Sequence, residues 1–388
     1  MSSGQRFNFF GPPTDVHFGY GVVNTLADRI KSLGAARVYV VTDPGLKAAG
    51  ALDVVEGLLR AADIGYAVFD RVKPDSGARL TDEAAAELKA SGAGAVVGIG
   101  GGSSLDTAKA AAALATNPGG ALDYVGLHKL ENRPLPTIAI PTTAGTGSEV
   151  TLWSVFTDET QGLKVAIGSS LNYPAVALCD PELTVGLPPL LTAISGMDAL
   201  GHAIECYTNK ACQPISAALA LPAIELIGRH LRTAVKDGRD REARYGMLLA
   251  STMAGIAMNP TRLGLAHALA MPLGSWDLRV PHGIAIASTL PAVMDFNHRA
   301  APERYAAVAR ALGEKADGLE TLAAAHRSIG AVRSLSRDVG MPVGLREVGV
   351  REEDVGRVVA EAMKSGNVAV NPRETTPPQL EQVLRESL

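Results

Sequence analysis

Hydrophobic and polar positions follow two different rhythms along this chain. Up to about residue 185, short apolar runs alternate with helical stretches. Residues 37–42 (RVYVVT) read as a buried strand, with a helix expected from about Pro44. Residues 64–69 form a second strand pattern, and Thr81–Ser91 reads as a helix opened by a Thr cap. Residues 95–99 are a third strand, running into glycines and an alanine-rich helix, and residues 137–141 are a fourth. Strand and helix alternating at this spacing predicts βαβ units and a mostly parallel sheet. Beyond Pro181, helical periodicity runs to the end of the chain, punctuated at residues 186–189 (GLPP), 259–260 (NP) and 280–283 (VPHG). The pattern predicts an α/β domain over residues 1–185 and an all-α domain over residues 186–388, without internal repeats.

Composition supports that division. A chain of 388 residues is long for one domain, and 47% hydrophobic against 20% charged residues allows a large core. The net charge of −4 carries no Lys/Arg run, which argues against nucleic-acid and membrane-surface partners. Cys179, Cys206 and Cys212 are too few and too irregularly spaced for a disulfide framework, so a reduced, cytoplasmic setting is expected. The opening MSSGQRFNFFGPP lacks the pattern of a signal peptide, and apolar runs such as Ala108–Ala115 are too short to span a bilayer.

The third strand ends in Gly100-Gly101-Gly102-Ser103-Ser104, directly before a helix carrying Asp106 and Lys109. Glycines permit close backbone approach, and a helix start offers free N–H groups and a positive dipole end to an anion. The alternative is a strand-to-helix turn without a ligand, and the usual GxGxxG order is missing. A second loop, Pro141 to Glu149 (PTTAGTGSE), follows the fourth strand and offers hydroxyls to phosphate or ribose oxygens. Two such loops at strand carboxyl ends describe a nucleotide crevice. Asp43 ends the first long strand, where a carboxylate can accept from a ribose hydroxyl and repel a 2′-phosphate, or cap the helix at Pro44.

Asp198 and His202 are four apart in a helical stretch and share one face, so they can chelate one ion. His267 lies in an apolar helix and His282 in a Pro-His-Gly turn; His230 and His326 have Arg or polar neighbours and read as surface. One carboxylate and three imidazoles suit Fe²⁺ or Zn²⁺, although spacing alone does not join His267 and His282 to the first pair. Each histidine alone also reads as a satisfied core or cap residue.

With these motifs in view, the sequence resembles the iron-containing alcohol dehydrogenase family over nearly the whole chain. The resemblance rests on Gly100–Ser103 with Asp106 and Lys109, the loop 141–149, Cys179-Asp180-Pro181, Gly196–Ala199 with His202 and Glu205, residues 264–268 (GLAHA), and Pro281-His282-Gly283. It implies a Rossmann-like amino-terminal domain with a parallel sheet, an all-α carboxyl-terminal domain (a dehydroquinate synthase-like architecture), and an active site in the cleft between them. It places Asp198, His202, His267 and His282 on the metal-ligand positions. The implied cofactor set is Asp43, Gly100, Gly101, Gly102, Ser103, Asp106, Thr142, Thr143, Thr146 and Lys164, with Asp43 favouring NAD over NADP.

The implied reaction is hydride transfer between NAD(H) and a short-chain primary alcohol or aldehyde beside a divalent metal, Fe²⁺ ahead of Zn²⁺. Many family members carry a histidine four residues after the third ligand; here that residue is Met271, which leaves the proton route open. Lys73-Pro74 likewise replaces a common Asn-Pro. Trp153, Met258, Arg262 and Met271 are the candidate substrate pocket. Arg262 and Arg279 read either as partners for an anionic substrate group or as surface anchors, so an aldehyde bearing carboxylate, phosphonate or sulfonate is the alternative substrate. An NAD-using, metal-dependent lyase of the dehydroquinate synthase type is the alternative of another class. The resemblance also implies a homo-oligomer, often a dimer, with Phe7–Phe10 and Val16–Phe18 able to form an apolar hairpin for pairing.

Overall fold

The computed structural model describes residues 11–275 and 277–388. The chain forms two compact units, divided in sequence between Leu187 and Pro188.

The amino-terminal unit contains β1 (Asp15–Phe18), β2 (Arg37–Val41), β3 (Gly65–Phe69), β4 (Ala95–Gly100), β5 (Gly126–Leu127), β6 (Thr137–Pro141), β7 (Trp153–Asp158), β8 (Leu163–Gly168) and β9 (Val176–Cys179). Six strands form one parallel sheet in the order β1-β9-β6-β4-β2-β3. Strands covered on both faces read as continuous apolar runs, and β4 and β6 are buried along their whole length. Successive residues of β2 serve opposite faces: Tyr39 and Val41 join one core cluster, Val38 and Val40 the other. The first cluster contains residues of helices Ala78–Ser91 and Gly102–Thr116, the second residues of helices Leu26–Ser32 and Ala51–Ala61.

A second sheet, β5-β8-β7, pairs β7 with β8 antiparallel. The sequence pattern did not predict it, because β7 mixes polar and apolar residues within six positions. The helix expected from Thr81 begins at Ala78 instead. Thr81 lies in its first turn, donating its hydroxyl to the Gly77 carbonyl at 3.2 Å rather than capping. Phe7–Phe10 of the expected hairpin lie outside the described residues; Val16–Phe18 fall in β1, which pairs parallel with β9 at the end of the sheet.

The carboxyl-terminal unit is helical. Its long helices are Pro189–Thr208, Pro214–Lys236, Arg241–Thr261, His282–Asn297 and Thr321–Asp338, with Leu265–Leu273, Pro302–Ala311, Val355–Ala362, Gly366–Val370 and Pro377–Arg385 shorter. Among the described residues, no helix is long and apolar enough to cross a membrane. His230, expected at the surface, is buried against Gly246 because its helix turns that face inward. His326 is exposed.

Gly98 lets the Gly102–Thr116 helix lie directly on the sheet: a Cβ there would sit 2.8 Å from the Ala108 Cβ. Gly98→Ala therefore overpacks the contact and should cost about 1–3 kcal/mol. A lowered urea midpoint is the expected result; an unchanged midpoint would show that the contact relaxes freely.

Candidate metal centre

Three helices supply four convergent side chains. Asp198 and His202 project from one face of Pro189–Thr208, one turn apart. His267 stands in the first turn of Leu265–Leu273, and His282 is the first residue of His282–Asn297 rather than part of a free turn, with Pro281 at its cap. Asp198 Oδ1 lies 3.6 Å from His267 Nε2, 3.6 Å from His282 Nε2 and 3.8 Å from His202 Nε2. Ligand atoms of Asp198, His267 and His282 all fall within 4.8 Å of one another. The His202 and His267 rings stack, with centroids 4.5 Å apart.

These separations identify what the cluster can hold. Donors at ~2.1 Å from a tetrahedral ion stand ~3.4 Å apart, close to the spacings here and too long for direct hydrogen bonds. Asp198 Oδ1 and His267 Nε2 are buried and lack a hydrogen-bond partner among the described residues. Leaving a buried polar atom unsatisfied costs about 1–3 kcal/mol, more for a charged group, and a divalent cation removes that penalty at both atoms. The donor set, nitrogen and oxygen without thiolate, fits Fe²⁺ or Zn²⁺.

Glu205 orients the His267 ring. It lies on the same helix as Asp198 and His202, is buried, and approaches His267 Nδ1 at 2.6 Å. The Gly264 and Ala266 N–H groups donate to its two carboxylate oxygens at 2.8 and 2.7 Å. The His267 Nδ1–H donates to this fixed carboxylate, which leaves the Nε2 lone pair for an ion. Burial alone would lower His267, but Glu205 and Asp198 push it up to about 9. Burial alone would raise Asp198, yet the surrounding imidazoles hold it below the ordinary carboxylate range. In the ion's absence protons compete for this site, so metal uptake is coupled to proton release.

In the amino-terminal unit, the glycine turn and the 141–149 loop interlock. A Cβ on Gly102 would meet the Thr146 Cγ2 at 2.6 Å, so the two loops touch only because Gly102 has no side chain. Asp106 is engaged internally: it accepts from Ser148 Oγ at 2.5 Å and from the Val155 N–H at 3.1 Å. Lys109 is fully buried and donates to the carbonyls of Ser148 (3.0 Å), Thr151 (3.4 Å) and Trp153, with Asp106 at 3.3 Å. Burial pulls its ammonium below the ordinary lysine range, against the opposing pull of Asp106 and Glu149. Asp43 caps the Pro44–Ala48 helix by accepting from the Leu46 N–H at 3.0 Å and also accepts from Ser104 Oγ at 3.3 Å. Lys164 pairs with Asp75 at 2.6 Å, and the Asp75 N–H donates to Ser103 Oγ at 3.3 Å.

The other candidates lie on several elements of the two units. Trp153 begins β7 with its ring over Gly168 of β8. Met258 is buried in a cluster with Cys206, Ala220 and Ala257. Met271 is half-buried one turn after His267 and has no transferable proton. Arg279 is exposed with φ 52°, and Arg262 ends its helix at φ 59°.

If Glu205 fixes the His267 tautomer, Glu205→Ala should weaken metal binding about 10- to 100-fold. Competition with a chromogenic chelator measures this directly. Affinity equal to that of the unmodified protein would remove Glu205 from the centre.

Both halves of the chain match known proteins. Residues 13–181 match the profile described as iron-containing alcohol dehydrogenase, and residues 192–388 match that of the Fe-containing alcohol dehydrogenase family, C-terminal. The choline dehydrogenase of Bacillus subtilis (strain 168) is 41% identical over 377 residues, covering 96% of this chain and 93% of its own. A crystal structure of 1,3-propanediol oxidoreductase superposes with a TM-score of 0.96 at 38% identity, over 99% of this chain and 100% of that one. Sulfoacetaldehyde reductase from Bifidobacterium kashiwanohense, solved in complex with NAD+, superposes with a TM-score of 0.87 at 32% identity, over 98% of each chain. Matched along both halves, and carrying a buried Asp/His cluster suited to a divalent ion, the chain belongs to the iron-containing alcohol dehydrogenase family and is a metal-dependent, NAD-linked alcohol oxidoreductase.

Proposed function

We propose that the protein interconverts a short-chain primary alcohol and its aldehyde, with the dinucleotide on the domain of residues 1–185 and the metal on that of residues 186–388. The observation that carries the metal half is the approach of three imidazole nitrogens to one buried carboxylate oxygen of Asp198, at 3.6 to 3.8 Å. When bound, a divalent ion acidifies an alcohol hydroxyl or polarises a carbonyl, and NAD supplies the hydride acceptor. We assign Asp198, His202, His267 and His282 as its ligands, and Fe²⁺ as the native ion, with Zn²⁺ able to substitute. One carboxylate against three neutral imidazoles leaves a net positive site, which keeps that polarisation strong.

On the dinucleotide side, Gly100 ends β4, and Gly101, Gly102 and Ser103 form the helix start whose N–H groups are assigned to the pyrophosphate. Thr142, Thr143 and Thr146 offer hydroxyls, and Lys164, held by Asp75, offers a charge. Asp43 retains lone pairs beyond the two used by Leu46 and Ser104 and is assigned to the ribose hydroxyls. Asp106 acts through the loop it holds. Met271 has no transferable proton, so no role in proton transfer is assigned to it.

The relatives named above act on choline, a neutral diol and a sulfonated aldehyde, so family membership alone does not choose the substrate. Alcohol dehydrogenase profiles on both halves favour the oxidoreductase over the lyase alternative. We further propose a cytoplasmic homodimer: three free cysteines suit a reducing compartment, and β1 ends its sheet with a pairing partner on one side only among the described residues.

Two measurements test these assignments. Incubation with a chelator should lower NADH formation from short primary alcohols more than about 100-fold, with Fe²⁺ or Zn²⁺ restoring it; full activity in metal-free protein would overturn the reading. Asp43→Asn keeps the helix cap while removing charge, and should raise the NADP/NAD ratio of kcat/KM by about tenfold or more. An unchanged ratio would take Asp43 out of cofactor selection.

A further inference from the structure

Arg262 has an unusual conformation for a residue with a side chain. At φ 59° and ψ −165° it occupies a region otherwise left to glycine. Such torsions persist only where the surroundings over-determine them, and they cluster at ligand clamps. Here the surroundings are explicit. Asn209, buried at the end of the Asp198/His202 helix, donates from one amide nitrogen to the carbonyls of Thr261, Arg262 and Leu263, each at 3.2 Å. The Arg262 carbonyl also accepts from Thr261 Oγ1 at 2.8 Å and from the Cys206 thiol at 3.6 Å.

The side chain is accommodated just as specifically. It runs over Gly366, where a Cβ would sit 1.9 Å from Arg262 Nη1. Gly366 does not adopt a positive φ, so its missing side chain serves to make room for the guanidinium rather than to permit a turn. The neighbouring Asn367 accepts from the Leu263 N–H at 3.4 Å, tying the two segments together. The Gly366–Val370 helix packs against the helix that carries His267. Despite this, the half-buried guanidinium makes no hydrogen bond or ion pair among the described residues. A cation with a cleared seat, a clamped backbone and no protein anion among the described residues is complementary to an anion supplied from outside.

We propose that Arg262 is a specificity-determining residue that binds an anionic substituent (carboxylate, sulfonate or phosphonate) of a short-chain aldehyde or alcohol. The inference rests on the oxidoreductase reading above and narrows its substrate class. Bidentate pairing of a guanidinium with such a group leaves the aldehyde end free, and Arg262 precedes His267 of the metal centre by five residues.

The test compares NADH-dependent reduction of 4-oxobutanoate and sulfoacetaldehyde with that of butanal, by the metal-loaded protein. Arg262→Gly relieves the backbone strain while removing the charge, and thermal unfolding checks that it folds. Gly366→Ala keeps the charge but fills its seat. The protein should prefer the anionic aldehydes, and both substitutions should cut the anionic-to-neutral ratio of kcat/KM, for Arg262→Gly by about 10- to 100-fold and mainly through KM. An unaltered ratio in a folded Arg262→Gly protein, or equal losses on both substrate types, overturns the proposal. Turnover of butanal alone also overturns it while leaving the oxidoreductase reading intact; turnover of no aldehyde defeats both.

Discussion

A carboxylate removed from water needs compensation, and Asp198 receives it from three imidazoles that stand at ligand spacing rather than hydrogen-bond spacing. Much of the carboxyl-terminal unit around it can be traced to that requirement. The helices must approach closely enough to bring donors from three of them to one point. Gly201 allows this, since a Cβ there would lie 2.5 Å from Ile286 Cγ2 and 3.3 Å from His267 Cε1. Glu205 then fixes the ring that Gly201 admits. It does so with a carboxylate itself held by two backbone N–H groups, so its own burial is satisfied. The centre is therefore stiff before an ion arrives, which is what a Lewis-acid site requires.

A comparable economy shapes the nucleotide loops. Lys109 and Asp106 form a buried hub beneath the glycine turn and bind Ser148, Thr151, Trp153 and Val155 to it. The charged residues of that motif act as scaffold, and the Thr146 hydroxyl adds to it by accepting from the Ser148 N–H at 3.3 Å. Rigid loops at strand carboxyl ends are the setting in which a dinucleotide loses least freedom on binding.

Local pattern revealed the parts of this protein whose determinants are local. The doubly buried strands β2, β4 and β6 announce themselves as apolar runs, and Asp198 with His202 as a one-turn pair. Glu205 could have been read the same way, three residues beyond His202 on the same helix. Nothing local joins His267 and His282 to that pair, and only the ordered family motifs did so. The β5-β8-β7 sheet escaped because β5 is only two residues long and β7 and β8 mix polar with apolar residues, although those two pair as a local hairpin. The inward turn of His230 depends on a neighbouring helix, which its flanking arginine conceals. Arg262 was visible as a candidate cation, but its torsions, the Asn209 clamp and the cleared space at Gly366 exist only once distant segments meet.

X-ray absorption at the metal edge, on protein purified without added metal or chelator, tests the four-ligand centre most directly. One ion per chain with a first shell of oxygen and imidazole nitrogen at ~2.0–2.2 Å is the expected result. A shell containing sulfur at ~2.3 Å, or protein that stays metal-free when Fe²⁺ or Zn²⁺ is supplied, would contradict the assignment of Asp198, His202, His267 and His282.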